Sequence, residues 1–132
     1  MHTLNDFFVR LSHVLKRDHR YKADAYYFVM ASLGRCMEKL EQPRHVSGGE
    51  LLGAIRCEAE EHFGPMAATV LGHWGVKNSL DFGAIVFNMV REGILTKQET
   101  DSLEDFRNED FLQSLFNVQS GYRLPEEKSV TQ

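Results

Sequence analysis

The side chains able to carry chemistry are few and scattered along the chain. There are six histidines and two cysteines in 132 residues, and His62 follows Glu58 by four positions. On a helix that spacing puts both on one face, close enough to share an ion. A closed metal site needs two further ligands, and neither Cys-x-x-Cys nor His-Glu-x-x-His occurs. Glu58 and His62 therefore read as an exposed pair on an acidic face with Glu60 and Glu61, and no metal is expected. As a nucleophile, Cys36 or Cys57 would need a nearby histidine to hold it as thiolate. Cys36 falls among apolar positions, where a thiol packs as a small hydrophobe. There is no Gly-x-Ser-x-Gly elbow and no phosphate-cradling glycine loop. No catalytic residue and no cofactor is expected.

The best-placed polar groups stand at expected helix starts. Ser47 with Glu50 three residues on is a capping box: the hydroxyl accepts from the Glu50 N–H, and the carboxylate reaches back to the Ser47 N–H. The N–H groups of Ser47-Gly48-Gly49, with Arg44 and His45 just before them, could hold an anion, but Glu50 already fills that end. Asp81 opens a later helix and Asn88 follows it. Arg44, His45, Glu50, Asp81 and Asn88 form the candidate ligand or partner site. The competing reading makes His45, Asp81, Asn88 and Asp105 caps of neighbouring elements, a role that Asp and Asn favour intrinsically. Residues 66–92 outline a helix-turn-helix. A DNA-reading second helix needs exposed donors near its start; this one has Lys77 and Asn78, then Asp81, and Arg91 only farther on. A plain buried corner is the better account.

These groups require helices to position them, and apolar spacing supplies the pattern. Leu4, Phe7, Phe8, Leu11 and Leu15 fall three or four apart over 3–18, giving one stripe. Tyr26, Met30, Leu33, Met37 and Leu40 repeat over 22–41, and Tyr27, Phe28 and Val29 make the first half of that helix apolar nearly all round. It is expected to be central, and Pro43 to stop it. Leu51, Leu52, Ile55 and Ala59 face inward on a third helix that ends at Phe63-Gly64. Pro65 suits the first turn of a fourth, carrying Ala67, Val70, Leu71 and Trp74, with Gly75 as the stop. Asn78-Ser79-Leu80-Asp81 offers caps for a fifth, with Phe82, Ile85, Val86, Met89 and Val90 inward and Gly93 as its end. Thr96-Lys97-Gln98-Glu99 is another capping box, opening a short turn. Phe106, Phe111, Leu112, Leu115 and Phe116 suggest a last helix from Ser102 or Asn108.

The expectation is an all-α fold, one compact bundle of about six to seven short helices. Ile94-Leu95 and Tyr122-Arg123-Leu124 offer a minor two-stranded ribbon as a variant. Residues 1–117 form the single expected domain and 118–132 a frayed tail; no repeat or low-complexity segment divides the chain. Apolar residues make up 42% and charged residues 26%, an ordinary globular composition with enough core to need no disulfide. The net charge is −4 and the pI about 5.8, a balance that repels phosphate backbones unless a basic patch is segregated. Nucleic acid and membrane are thus disfavoured as partners. Two cysteines and a start without a basic, apolar leader point to the cytoplasm.

Several blocks together resemble one family. They are Arg44 to Leu52, Phe63-Gly64, Trp74-Gly75, Asp81-Phe82-Gly83-Ala84-Ile85-Val86-Phe87-Asn88, the acidic Thr96 to Phe106 stretch, and the aromatic run near Ala25 to Val29. The family is one of short bacterial proteins of unknown function restricted to planctomycete and verrucomicrobial lineages, and the resemblance covers most of residues 5–117. Gly49 departs from it, standing where a bulkier polar residue is expected. The resemblance implies a single domain and no particular activity, cofactor or catalytic residue.

The leading functional expectation is a non-enzymatic protein-interaction module or a homo-oligomer, with a homodimer through the aromatic second helix as its variant. The alternatives are a small ligand-binding protein or enzyme with its site at the third and fifth helix starts, and a weak nucleic-acid binder through 66–92.

Overall fold

Helices begin and end where capping chemistry allows. A computed structural model describes residues 4–42, 44–95 and 106–107. Among them are α1 (Leu4–Arg17), α2 (Ala23–Glu38), α3 (Gly48–Phe63), α4 (Ala67–His73) and α5 (Ser79–Arg91), with a 3-10 turn at Gly64–Met66 leading into α4. Every regular element among the described residues is helical, so the fold is all-α. These five helices and one turn are fewer than the six to seven helices expected of the whole chain. The turn from Thr96, the last helix from Ser102 or Asn108 (Phe106 and Arg107 apart), and the tail from 118 lie outside the described residues. The ribbon loses its first arm: Ile94 and Leu95 bend back, and both donate their N–H to the Met89 carbonyl, at 2.8 and 3.3 Å. They close the end of α5 instead of pairing as a strand.

Two capping boxes start the helices that matter most. On α3, the Glu50 N–H donates to Ser47 Oγ (3.1 Å) and the Ser47 N–H to Glu50 Oε1 (2.9 Å). On α5, the Asp81 N–H donates to Asn78 Oδ1 (3.2 Å) and the Asn78 N–H to Asp81 Oδ2 (3.1 Å). Each box satisfies backbone donors that the first helical turn leaves orphaned.

Two glycines finish helices by the same device. Gly75 (φ +99) and Gly93 (φ +80) occupy the left-handed region after α4 and α5. Behind them, Val76 donates to Leu71 O and Gly75 to Gly72 O; Ile94 donates to Met89 O and Gly93 to Val90 O. These are paired Schellman bonds, and each tucks a buried apolar residue, Val76 or Ile94, under its helix end. The chain therefore reverses sharply between α4 and α5, bringing the start of α5 beside the loop that joins α1 to α2. Lys22 N–H donates to Trp74 O across that junction at 3.1 Å.

The core collects Leu11 and Val14 of α1, Tyr26 and Val29 of α2, Leu51, Leu52 and Ile55 of α3, Leu71 of α4, and Phe82, Ile85 and Met89 of α5. α2 packs mainly on α3, while α5 touches α1, α2 and α3. The most deeply buried of these helices is α5, in which Arg91 alone is exposed. The expectation that α2 is central is corrected: its Tyr27, Ala31, Arg35 and Met37 face solvent. It also ends at Glu38, before Pro43 is reached. On α1, Val14 is buried and Phe8, expected inside, is exposed; Leu4's side chain is outside the described set. Leu33 and Val70 are half-buried, and Val86 is buried.

Candidate functional site

The five sequence-selected residues fall into two groups. Arg44, His45 and Glu50 meet at the start of α3. Arg44 grips Glu50 with two bonds, Nη1 to Oε1 at 3.0 Å and Nη2 to Oε2 at 2.7 Å, and Nη1 also donates to the His45 carbonyl at 3.0 Å. Glu50 Oε1 takes the Ser47 N–H as well. The Arg44 guanidinium, helped by that N–H, holds the Glu50 carboxyl down at about 2. A carboxylate so stabilised is a poor proton acceptor at neutral pH. Arg44 and Glu50 each serve the other, and both serve the cap.

Asp81 and Asn88 belong to a second network, built around the α1–α2 loop. Asp81 Oδ2 accepts from the Lys77 N–H (2.7 Å) and the Asn78 N–H, and its Oδ1 accepts from the Tyr21 hydroxyl. Asn88 lies inside α5, not at its end, and is 5% exposed. Its Nδ2 donates to Asp18 Oδ2 at 2.9 Å and to the Tyr26 hydroxyl at 3.0 Å. Asp18 is gripped in turn by Arg20 through Nε and Nη2, the latter at 2.7 Å, and the Arg20 guanidinium lies 5.0 Å from the Tyr21 ring centroid. Burial, then the Asp81 carboxylate, raises the Tyr21 hydroxyl's pKa; burial also raises that of Tyr26. The network fastens the loop to α5.

Sequence reasoning missed Asp18, Arg20, Tyr21 and Tyr26. The signal was present, because Asn88 stands three after Ile85 and so on the inward face of α5. A buried amide needs partners, and the only question was which.

A third cluster corrects the acidic-face expectation. Glu58 is 6% exposed and bridges helices, accepting from Arg35 Nη1 of α2 at 3.5 Å and contacting His62 Nε2 at 3.0 Å. It lies seven after Leu51 and three after Ile55, which is the inner face. Among the described residues no group of three or more His, Cys, Asp or Glu is placed to hold a metal, and both cysteines are free.

One surface is left without such polar closure. Phe7, Phe8 and Tyr27 form an aromatic triad, with ring centroids 5.6 Å (Phe7–Phe8), 5.9 Å (Phe7–Tyr27) and 6.4 Å (Phe8–Tyr27) apart. Phe7 is half-buried beneath, while Phe8 is 46%, Val9 47% and Tyr27 43% exposed. The sequence hid this face because Phe8 fits the α1 stripe; Val9 beside it was the sign that the stripe is wider than the buried face. Compared with family models, curated proteins and solved structures, the chain matches none.

The paired carboxylates set an acid limit. Asp18 is held well below the usual carboxylate range, chiefly by Arg20 and then by Asn88, against the cost of burial. Folding thus depresses both Asp18 and Glu50, so the unfolded chain takes up protons first. The stability they contribute is full above the ordinary carboxylate pKa and is lost as pH falls through the folded values. Thermal midpoints are expected to hold steady from pH 7 to about 5 and to drop between about 4.5 and 2. Asp18→Asn should lower the midpoint at pH 7 and flatten that acid slope; an unchanged slope would remove Asp18 from the account.

Proposed function

We propose that the chain is a protein-interaction module, a helical bundle that docks through the outward face of α1 and α2 and performs no catalysis. The observation that carries this reading is the Phe8–Val9–Tyr27 surface, since large apolar side chains grouped in solvent cost hydration free energy unless a partner covers them. The polar clusters support it by contrast. Arg44, Glu50, Asp81, Asn88 and Glu58 all have partners within the chain: the Arg44–Glu50 and Lys77–Asp81 bonds close helix starts, and the Asn88–Asp18 and Arg35–Glu58 bonds join separate elements.

A photoreactive phenylalanine analogue at position 27, compared with one at exposed Glu61 on α3, tests the reading in cells. A discrete adduct at 27 but not at 61, lost in Phe8→Ser, is expected. Equal labelling at both positions, or none at 27 with a monomer by sedimentation, would sink it.

We further propose a cytoplasmic location, which the two free thiols and the lack of any described helix long and apolar enough to cross a membrane support. Membership of the planctomycete and verrucomicrobial family is likewise a proposal. Its support is that the resembling block Arg44–Leu52 contains the α3 capping box, and Asp81–Asn88 runs from the acid of the α5 box along the inner face behind it. Such blocks carry fold, not activity.

A further inference from the structure

The aromatic face does not stand in neutral surroundings. From Arg10 to Lys22 the chain has Arg10, Lys16, Arg17, Arg20 and Lys22 against the single carboxylate of Asp18, in a protein of net charge −4. The exposed side of α1 carries Phe8 and Val9 in its first half, then Ser12 and His13, then Lys16 and Arg17. Positions 8, 12 and 16, like 9, 13 and 17, follow one another at helical spacing, so apolar and cationic groups form one continuous strip. Arg91, at the end of α5, lines the same crevice as Arg17 and adds a second cation there beside Glu92.

We infer that the partner for this face, if the interaction reading above holds, is an acidic amphipathic segment of another protein. Its apolar side chains would cover Phe8, Val9 and Tyr27, and its spaced carboxylates would meet Lys16, Arg17 and the cations beyond them. Lys16, Lys22 and Arg91 make no ion pair among the described residues, whereas Arg17 makes only a long one, 3.6 Å to Glu92, which also faces His13 at 3.7 Å. Carboxylates are interspersed among these cations: Asp6 pairs with Arg10 and Asp18 with Arg20. Those carboxylates weaken the attraction to the dense, continuous charge of a nucleic-acid backbone or an anionic bilayer. Discrete acidic side chains on a peptide can reach the cations and avoid the anions. An apolar centre with a charged rim is also how protein interfaces are built.

The test uses the full chain and fluorescence anisotropy with a labelled Leu/Glu amphipathic helical peptide, beside Leu/Gln and Leu/Lys versions of the same pattern. The Glu peptide is expected to bind at least tenfold tighter than the Gln peptide, and the Lys peptide not to bind. Raising NaCl from 50 to 500 mM and the double variant Lys16→Glu/Arg17→Glu should each remove most of that advantage; Phe8→Ser should weaken all binding. Circular dichroism confirms that the variants fold. Equal binding of Glu and Gln peptides overturns the acidic-partner inference yet leaves the face intact. Glu-peptide binding indifferent to Phe8→Ser overturns the face itself. Binding of a single-stranded oligonucleotide or phosphatidylserine vesicles in place of the peptide, lost in Lys16→Glu/Arg17→Glu, overturns the choice of a protein partner.

Discussion

Gly75→Ala is expected to lower the unfolding free energy by about 3 kcal/mol or more. Two separate effects combine there. The backbone at Gly75 has φ +99, where a Cβ collides with its own chain. The added carbon would also sit 2.0 Å from the Arg20 carbonyl oxygen and 3.4 Å from the Tyr21 Cα. Those atoms are backbone and cannot rotate aside. Relief requires lifting the α1–α2 loop from the α4–α5 corner, with loss of the Lys22-to-Trp74 bond and strain on Tyr21–Asp81. A fall in thermal midpoint of roughly 10–15 °C should follow for a chain of this size.

Other glycines separate the two effects. Gly64 has φ +52 but open space where its Cβ would go, so Gly64→Ala should cost only the backbone strain, about 1–2 kcal/mol. Gly34 and Gly53 lie within helices with nothing within 4 Å of an added Cβ. Their alanine variants should gain about 0.5–1 kcal/mol each. Gly75→Ala melting no lower than Gly64→Ala would show that the two loops do not touch as described.

Helix ends were the most legible part of the fold, because their signals are local. Ser47–Glu50, Pro65, Gly75 and Gly93 act within four residues of themselves, and the sequence states such rules outright. Helix faces were legible where one stripe meets one neighbour, as on α3 and α5. They failed on α1 and α2, where apolar residues outnumber the positions that neighbours can cover; spacing alone cannot say which aromatic faces water. The candidate site was legible only as residue types. Arg44 and Glu50 are six apart and met. Asp81 needed Tyr21, 60 residues away, and Asn88 needed Asp18 and Tyr26, 70 and 62 away. Pairings over that span depend on how helices stack, and no periodicity encodes them. Glu58 is the opposite lesson, since its own inner-face position was overridden by its charge.

Asn88 is the residue through which that long-range stacking is held, and its substitution should have the second large effect. Asn88→Ala removes the amide that bonds both Asp18 and the fully buried Tyr26 hydroxyl, and leaves a void; a loss of about 2–4 kcal/mol is expected. Tyr26→Phe removes only one of the two bonds and should cost about 1 kcal/mol. Ser32 gives the contrast: it is equally buried, yet its hydroxyl has no hydrogen-bond partner among the described residues, so Ser32→Ala should be neutral or stabilising. Asn88→Asp is the sharper probe, because it sets a second carboxylate against Asp18 at hydrogen-bond distance. Two such anions cannot both stay ionised, and the folded state then holds a proton that the unfolded chain releases. A raised folded pKa reverses the sign of the linkage, so this variant should be badly destabilised at pH 7 and regain stability as pH falls toward 5. The parent protein has no such gain over that range. Denaturant unfolding of both proteins at pH 5, 6 and 7 decides it: parallel pH profiles would mean that Asn88 and Asp18 are not in contact, and that something else holds the α1–α2 loop on α5.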